Sequence, residues 1–85
     1  MTKSVFTDAY ATFLDVLIAA RKDAGVTQIE LGARLGKTQT FVSTIERGVR
    51  RVDVIEFYAI ARALNIDPMS LFADVVGRMP GKVDI

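Results

Sequence analysis

TQIELGARLGKTQTFVSTIERG, running from Thr27 to Gly48, decides the fold. Leu31 and Leu35 lie four apart and form an apolar stripe on one helix, and Val42 and Ile45 lie three apart and form another on a second. Thr27 is an N-cap and Glu30, three positions later, completes a capping box. Gly36 closes the helix after about two turns, and Thr38 opens the next. A four-residue junction containing glycine forces a sharp turn, so the two helices cross at a wide angle instead of lying side by side. Gly32 fits this geometry, because a glycine inside a helix costs about 0.5–1 kcal/mol against alanine and is best justified where another backbone comes close. A larger residue is not expected to fit there.

Once Val42 and Ile45 are turned inward, Gln39, Thr40, Ser43, Thr44 and Arg47 occupy the outer face of the second helix or its flanks. An ordinary solvated helix is rich in Glu and Lys. This face instead carries amide, hydroxyl and guanidinium groups able to reach base edges, and no carboxylate to repel phosphate.

Two stretches, RKDAGVTQIELGARLGKTQTFVSTIERG (Arg21–Gly48) and EFYAIARALNIDPMSLF (Glu56–Phe72), resemble the XRE family of phage-repressor and Cro-like DNA-binding domains. The resemblance covers about residues 14–73, and its most specific parts are the GVTQ, LG, Q, VS, IERG spacing and the closing ALNIDPMSLF. It implies an all-α, five-helix, phage-repressor-like domain with the helix-turn-helix at about 28–47.

The chain has 85 residues, one domain's worth, and the domain is expected to span 1–85. With neither cysteine nor histidine, a disulfide framework and thiolate or imidazole metal sites are excluded, and no cofactor or metal is expected. The apolar runs fall short of the roughly 20 residues of a membrane span, and no targeting segment is evident, so a cytoplasmic, nucleoid-associated location is expected. An enzyme is the weakest reading, for want of a phosphate-cradling glycine loop or a plausible carboxylate pair. No small-molecule ligand is evident.

Net charge is only +1, but it is polarised. Arg34, Lys37, Arg47, Arg50 and Arg51 stand against the single acid Glu46 between positions 34 and 51, whereas the stretch 53–74 holds four acids and one base. The basic half surrounds the helix that would read DNA.

Residues 1–6 are expected to be irregular. Helices are expected at about 8–24, 28–35, 39–47, 54–64 and 68–76, followed by a tail over 77–85. Thr7 caps the first, whose apolar side carries Tyr10, Phe13, Leu14, Leu17, Ile18 and Arg21. Asp53 caps the fourth, with Ile55, Tyr58, Ala59, Ala61 and Leu64 as its apolar surface and Asn65 at its end. Pro68 opens the fifth, and Gly77, Pro80 and Gly81 are read as breaking it.

Arg21 on an apolar side wants a counter-charge. The resemblance implies that Glu46 supplies it, in a structural ion pair; the alternative is that Arg21 bends out to solvent or a phosphate. The resemblance also implies that Gln28 binds a phosphate and buttresses Gln39, the prime candidate for base readout, with Thr40, Ser43 and Thr44 sharing that work. An amide can bond an adenine edge in a bidentate way. Lys37, Arg47, Arg50 and Arg51 are the candidate phosphate clamps. Phe41 is left open between packing at the helix edge and contact with sugar-phosphate or a thymine methyl.

Met69, Phe72, Val75, Val76 and Met79 exceed what a helix closing a small domain needs, so they are assigned to a homodimer interface; a monomer with an apolar end is the alternative. The function expected is sequence-specific binding of double-stranded DNA by a homodimeric repressor or autoregulator at a pseudo-palindromic operator. A controller-type activator of a restriction-modification system and an antitoxin-like protein-interaction module remain alternatives.

Overall fold

The computed structural model describes residues 7–85, and the expectation for residues 1–6 lies outside them. Five α-helices follow one another: α1 (Asp8–Asp23), α2 (Gln28–Arg34), α3 (Gln39–Glu46), α4 (Val54–Ala63) and α5 (Pro68–Arg78), with no strand among the described residues.

Local chemistry punctuates the chain. Thr7, Thr27, Thr38, Asp53 and Asp67 each accept, through the side chain, the backbone N–H three positions on, and so satisfy one orphan donor of the helix they open. The reciprocal capping box forms at Asp53 and Glu56. At Thr27 only the threonine half is made, because Glu30 turns to Arg34 one turn along, at 3.0 Å.

The first four helices end alike. Past each, a left-handed residue (Gly25, Gly36, Gly48 or Asn65) lets its own N–H and the next one fold back onto the last turn. After α2, for example, Gly36 N donates to Ala33 O at 3.1 Å and Lys37 N to Gly32 O at 2.8 Å. The fifth helix ends differently. It passes through Gly77, against expectation, and stops at Arg78, because Met79 must take an extended conformation (φ −63°, ψ 141°) before Pro80.

Leu17, Val26, Leu31, Val42, Ile60, Ala61, Leu64, Leu71 and Val75 form the main core, and Tyr10, Leu14 and Ile45 a second cluster beside it. Burying a side chain such as Leu14 or Val42 contributes about 1.5–3 kcal/mol. Gly32 is the tightest point. A Cβ placed on it would lie 2.7 Å from Thr38 O and 2.8 Å from Thr38 C, so the start of α3 rests directly on the middle of α2.

Some inward faces differ from the expected ones. Val16 is buried in α1 and Ile18 only half-buried, because α5 packs along the Val16 side. In α4 the core positions are Ile60, Ala61 and Leu64 with Phe57 half-buried, whereas Ile55, Tyr58 and Ala59 face outward. In α5, Val75 lies in the protomer's own core and Met79 packs against it, so neither is a free interface group; Met69, Phe72 and Val76 are exposed.

Candidate nucleic-acid interface

The interface begins with a charge inside the fold. Arg21, only 8% exposed, donates from Nε to Glu46 Oε2 at 2.6 Å, from Nη2 to Glu46 Oε1 at 2.9 Å and from Nη1 to Val26 O at 2.9 Å. The bidentate fork joins α1 to the last residue of α3, and the third bond ties down the loop that leads into α2. Charge-assisted bonds of this kind are the strong ones, and they offset the cost of taking both ions out of water.

From this pair the order spreads to the surface. Gln28 Nε2 donates to Glu46 Oε1 at 2.9 Å, which leaves Gln28 Oε1 as the acceptor for Gln39 Nε2 at 3.3 Å. A carboxylate can only accept, so it determines which end of the Gln28 amide faces it, and Gln28 in turn orients Gln39. Gln39 is left with its Oε1 and one amide hydrogen available. That is the acceptor-donor pair that an adenine edge matches.

The other residues of α3 divide. Thr40 is exposed. Ser43 Oγ accepts Arg47 Nε at 3.1 Å and keeps its own hydrogen to donate. Thr44 is half-buried and spends its hydroxyl on Phe41 O at 2.9 Å, so its methyl group, not its hydroxyl, is what remains to meet a base. Phe41 is half-buried and packs against both core clusters. Its ring also receives two cations, with Lys37 Nζ 5.4 Å and Arg50 Cζ 5.0 Å from the centroid.

Of the expected phosphate clamps, Gln28, Lys37 and Arg47 lie in or beside the helix pair. Arg51 is exposed and holds its guanidinium 4.4 Å above the Tyr10 ring. Arg50 is engaged elsewhere: Nη1 and Nη2 donate to Glu56 Oε1 and Oε2 at 2.9 and 2.6 Å. That fork, with the Asp53 N–H bond, holds the Glu56 carboxyl down to about 2.

Three supports were not foreseen from the residues alone. Tyr10 Oη accepts Val52 N at 2.9 Å and anchors the loop carrying Arg50 and Arg51. Arg34 Nη1 donates to Ala63 O at 2.8 Å, tying α2 to the last turn of α4. Glu56 was visible as the fourth residue of a D-x-x-E capping signature, but its hold on Arg50 was not. Among the described residues, no group of three or more His, Cys, Asp or Glu is placed to hold a metal ion, and no helix is long and apolar enough to cross a membrane.

The chain is similar in sequence and fold to known proteins. The helix-turn-helix family model matches residues 17–71. An uncharacterized HTH-type transcriptional regulator from Sinorhizobium fredii, y4dJ, is 41% identical over 51 residues, covering 60% of this chain and 66% of that protein's length. An XRE-family-like protein from Pseudomonas syringae pv. tomato is 46% identical, with a TM-score of 0.78, over 85% of this chain and 88% of that one. The restriction-modification controller protein C.Esp1396I is similar in fold alone, at 21% identity and a TM-score of 0.77 over 85% of this chain and 94% of that one. With the family model spanning α2, α3 and α4 and the carboxylate-amide relay placing Gln39 at the surface, the chain belongs to the XRE family of helix-turn-helix transcriptional regulators, a DNA-binding and non-catalytic class.

Proposed function

We propose that the protein is a homodimeric repressor or autoregulator that reads a pseudo-palindromic operator through the outer face of α3. The observation that carries this reading is the relay from Arg21 through Glu46 and Gln28 to Gln39, which begins in the core and ends on the face an operator would meet. A side chain oriented before binding loses less entropy when it bonds a base, and its amide cannot flip freely to suit another. Gln39 reads a base pair in the major groove, with Thr40, the Ser43 hydroxyl and the Thr44 methyl beside it. Lys37, Arg47 and Arg51 contact phosphates, as does Gln28, and Phe41 contributes at the helix edge.

The dimer surface combines α4 and α5. Val54, Ile55, Tyr58, Met69, Phe72 and Val76 are all more than half exposed. So much apolar surface on a small domain favours a partner, and a second copy would set two α3 helices about 34 Å apart, one helical turn of DNA. The same surface gives the antitoxin-like reading its one support, and the two part at the mass of the purified protein: twice the chain mass for a homodimer, a second species for a toxin complex.

Binding measurements on single substitutions test the reader. Gln39→Ala is expected to lose about 1–3 kcal/mol, concentrated at particular base pairs, while Arg51→Ala weakens all duplexes uniformly and lowers the salt slope by about 1. Equal weakening of cognate and random DNA by both would remove Gln39 from base readout.

A further inference from the structure

We infer that Glu56 withholds Arg50 from DNA phosphates, so that it sets how many phosphates the protein engages without touching DNA itself. The inference rests on the DNA reading given above and concerns the loop between α3 and α4. Arg50 lies there beside Arg51, and its guanidinium covers Phe41 in the first turn of α3, next to Gln39 and Thr40. By sequence and position it is a phosphate clamp. Its bonding says otherwise.

The two oxygens of Glu56 each take one hydrogen from a terminal nitrogen of Arg50, and Arg51 O accepts from Nη1 as well, at 3.1 Å. A phosphate would want the same end-on fork, so carboxylate and phosphate compete for it, and only the Nε side of the guanidinium is left over. The carboxylate has the advantage of being built in. Glu56 is fixed by the Asp53 N–H bond at 3.0 Å, and Asp53 by the return bond from Glu56 N at 2.7 Å, so the acceptor is held rigidly whether or not Arg50 is present. Its lowered pKa keeps it ionised at any pH suited to DNA binding. The paired charges cancel at the range of a neighbouring phosphate, and Glu56 also lies in the field of Lys37, the other cation over Phe41.

The start of α4 makes the arrangement dependent on one charge. A helix N-terminus carries the positive end of its dipole, which repels a guanidinium. With Glu56 neutral, Arg50 would lose its fork and be pushed outward, toward the phosphates.

The salt dependence of binding to a random-sequence duplex measures the phosphate count, at about 0.9 in log–log slope per phosphate. Four proteins decide the matter: the wild type, Glu56→Gln, Arg50→Gln and the double variant. Glutamine at 56 still accepts from Asp53 N, so the α4 cap survives, and a melting curve checks this. The slope is expected to steepen by about 0.9 in Glu56→Gln and to return to the wild-type value in the double variant, while Arg50→Gln, which bares the Glu56 carboxylate, is not expected to steepen it. Between 50 and 200 mM salt the added phosphate makes the loss of affinity about threefold larger. An unchanged slope in Glu56→Gln, or a steepened slope that persists in the double variant, overturns the inference, and the second result places the added phosphate on a residue other than Arg50. A wild type that shows no salt-dependent binding overturns the DNA reading itself, and this inference with it.

Discussion

The pair α2–α3 and the pair α4–α5 use similar apolar residues to opposite ends. In the first pair the buried stripe is narrow, Leu31 with Val42 and Ile45, and the outer surface, apart from the exposed Ile29, is polar and internally bonded, with Gln28, Gln39, Ser43 and Thr44 all holding a hydrogen-bond partner. In the second pair the core takes Ile60, Leu64, Leu71 and Val75, yet Val54, Ile55, Tyr58, Met69, Phe72 and Val76 remain outside. One pair is complete as it stands. The other leaves an apolar groove of about 670 Å³ lined by α1, α4, α5 and the tail residues Val83 and Ile85. Precision is concentrated where DNA would bind, and unspent hydrophobic surface where a second chain would.

The largest way to break the contrast is at Glu46. Glu46→Ala leaves Arg21 buried without its counter-charge and releases Gln28, and should cost about 3–5 kcal/mol in a denaturant titration. Unchanged stability would mean that the pair does not hold α1 to α3. Next is Gly32→Ala, where the new Cβ meets Thr38 backbone that cannot yield; about 2–3 kcal/mol should be lost. A smaller loss would show that α2 and α3 separate easily.

On the other pair, Phe72→Lys should leave the protomer folded and weaken the dimer by about 2 kcal/mol, read as a shift to the monomer mass on dilution. A dimer of undiminished strength would place the interface elsewhere. The smallest effect has the opposite sign. Gly77 lies inside α5 with nothing within 4 Å of an added Cβ, so Gly77→Ala should gain about 0.5–1 kcal/mol in thermal melting. A loss there would reveal a close neighbour, such as a second subunit crossing α5.

The contrast also explains what could be read beforehand. Helix ends were legible because N-caps and left-handed stops are local: Thr27, Thr38, Asp53, Gly36 and Asn65 act within a few residues of themselves. The inward face of α3 was legible because only one of its faces is apolar. That of α4 was legible only at Ala61 and Leu64, since VIEFYAIARA is apolar nearly all round and the packing of α2 and α5 selects its face. Val75 was assigned outward because α5 carries more apolar groups than closing a small domain needs. In the interface, the partners of Arg21 and Gln39 came from the family resemblance, because bonds spanning 25 and 11 residues leave no local trace. Arg50 looked like a free clamp because only the path of the loop brings it to Glu56.

The most direct test of the central claim, that two copies of α3 read one operator, is selection of bound duplexes from a random DNA pool at two salt concentrations. An enriched inverted repeat with half-sites about one helical turn apart, retained at the higher salt, is expected. Salt-sensitive retention with no enriched motif would contradict the claim, leaving phosphate contacts alone and a surface on α4 and α5 meant for some other protein.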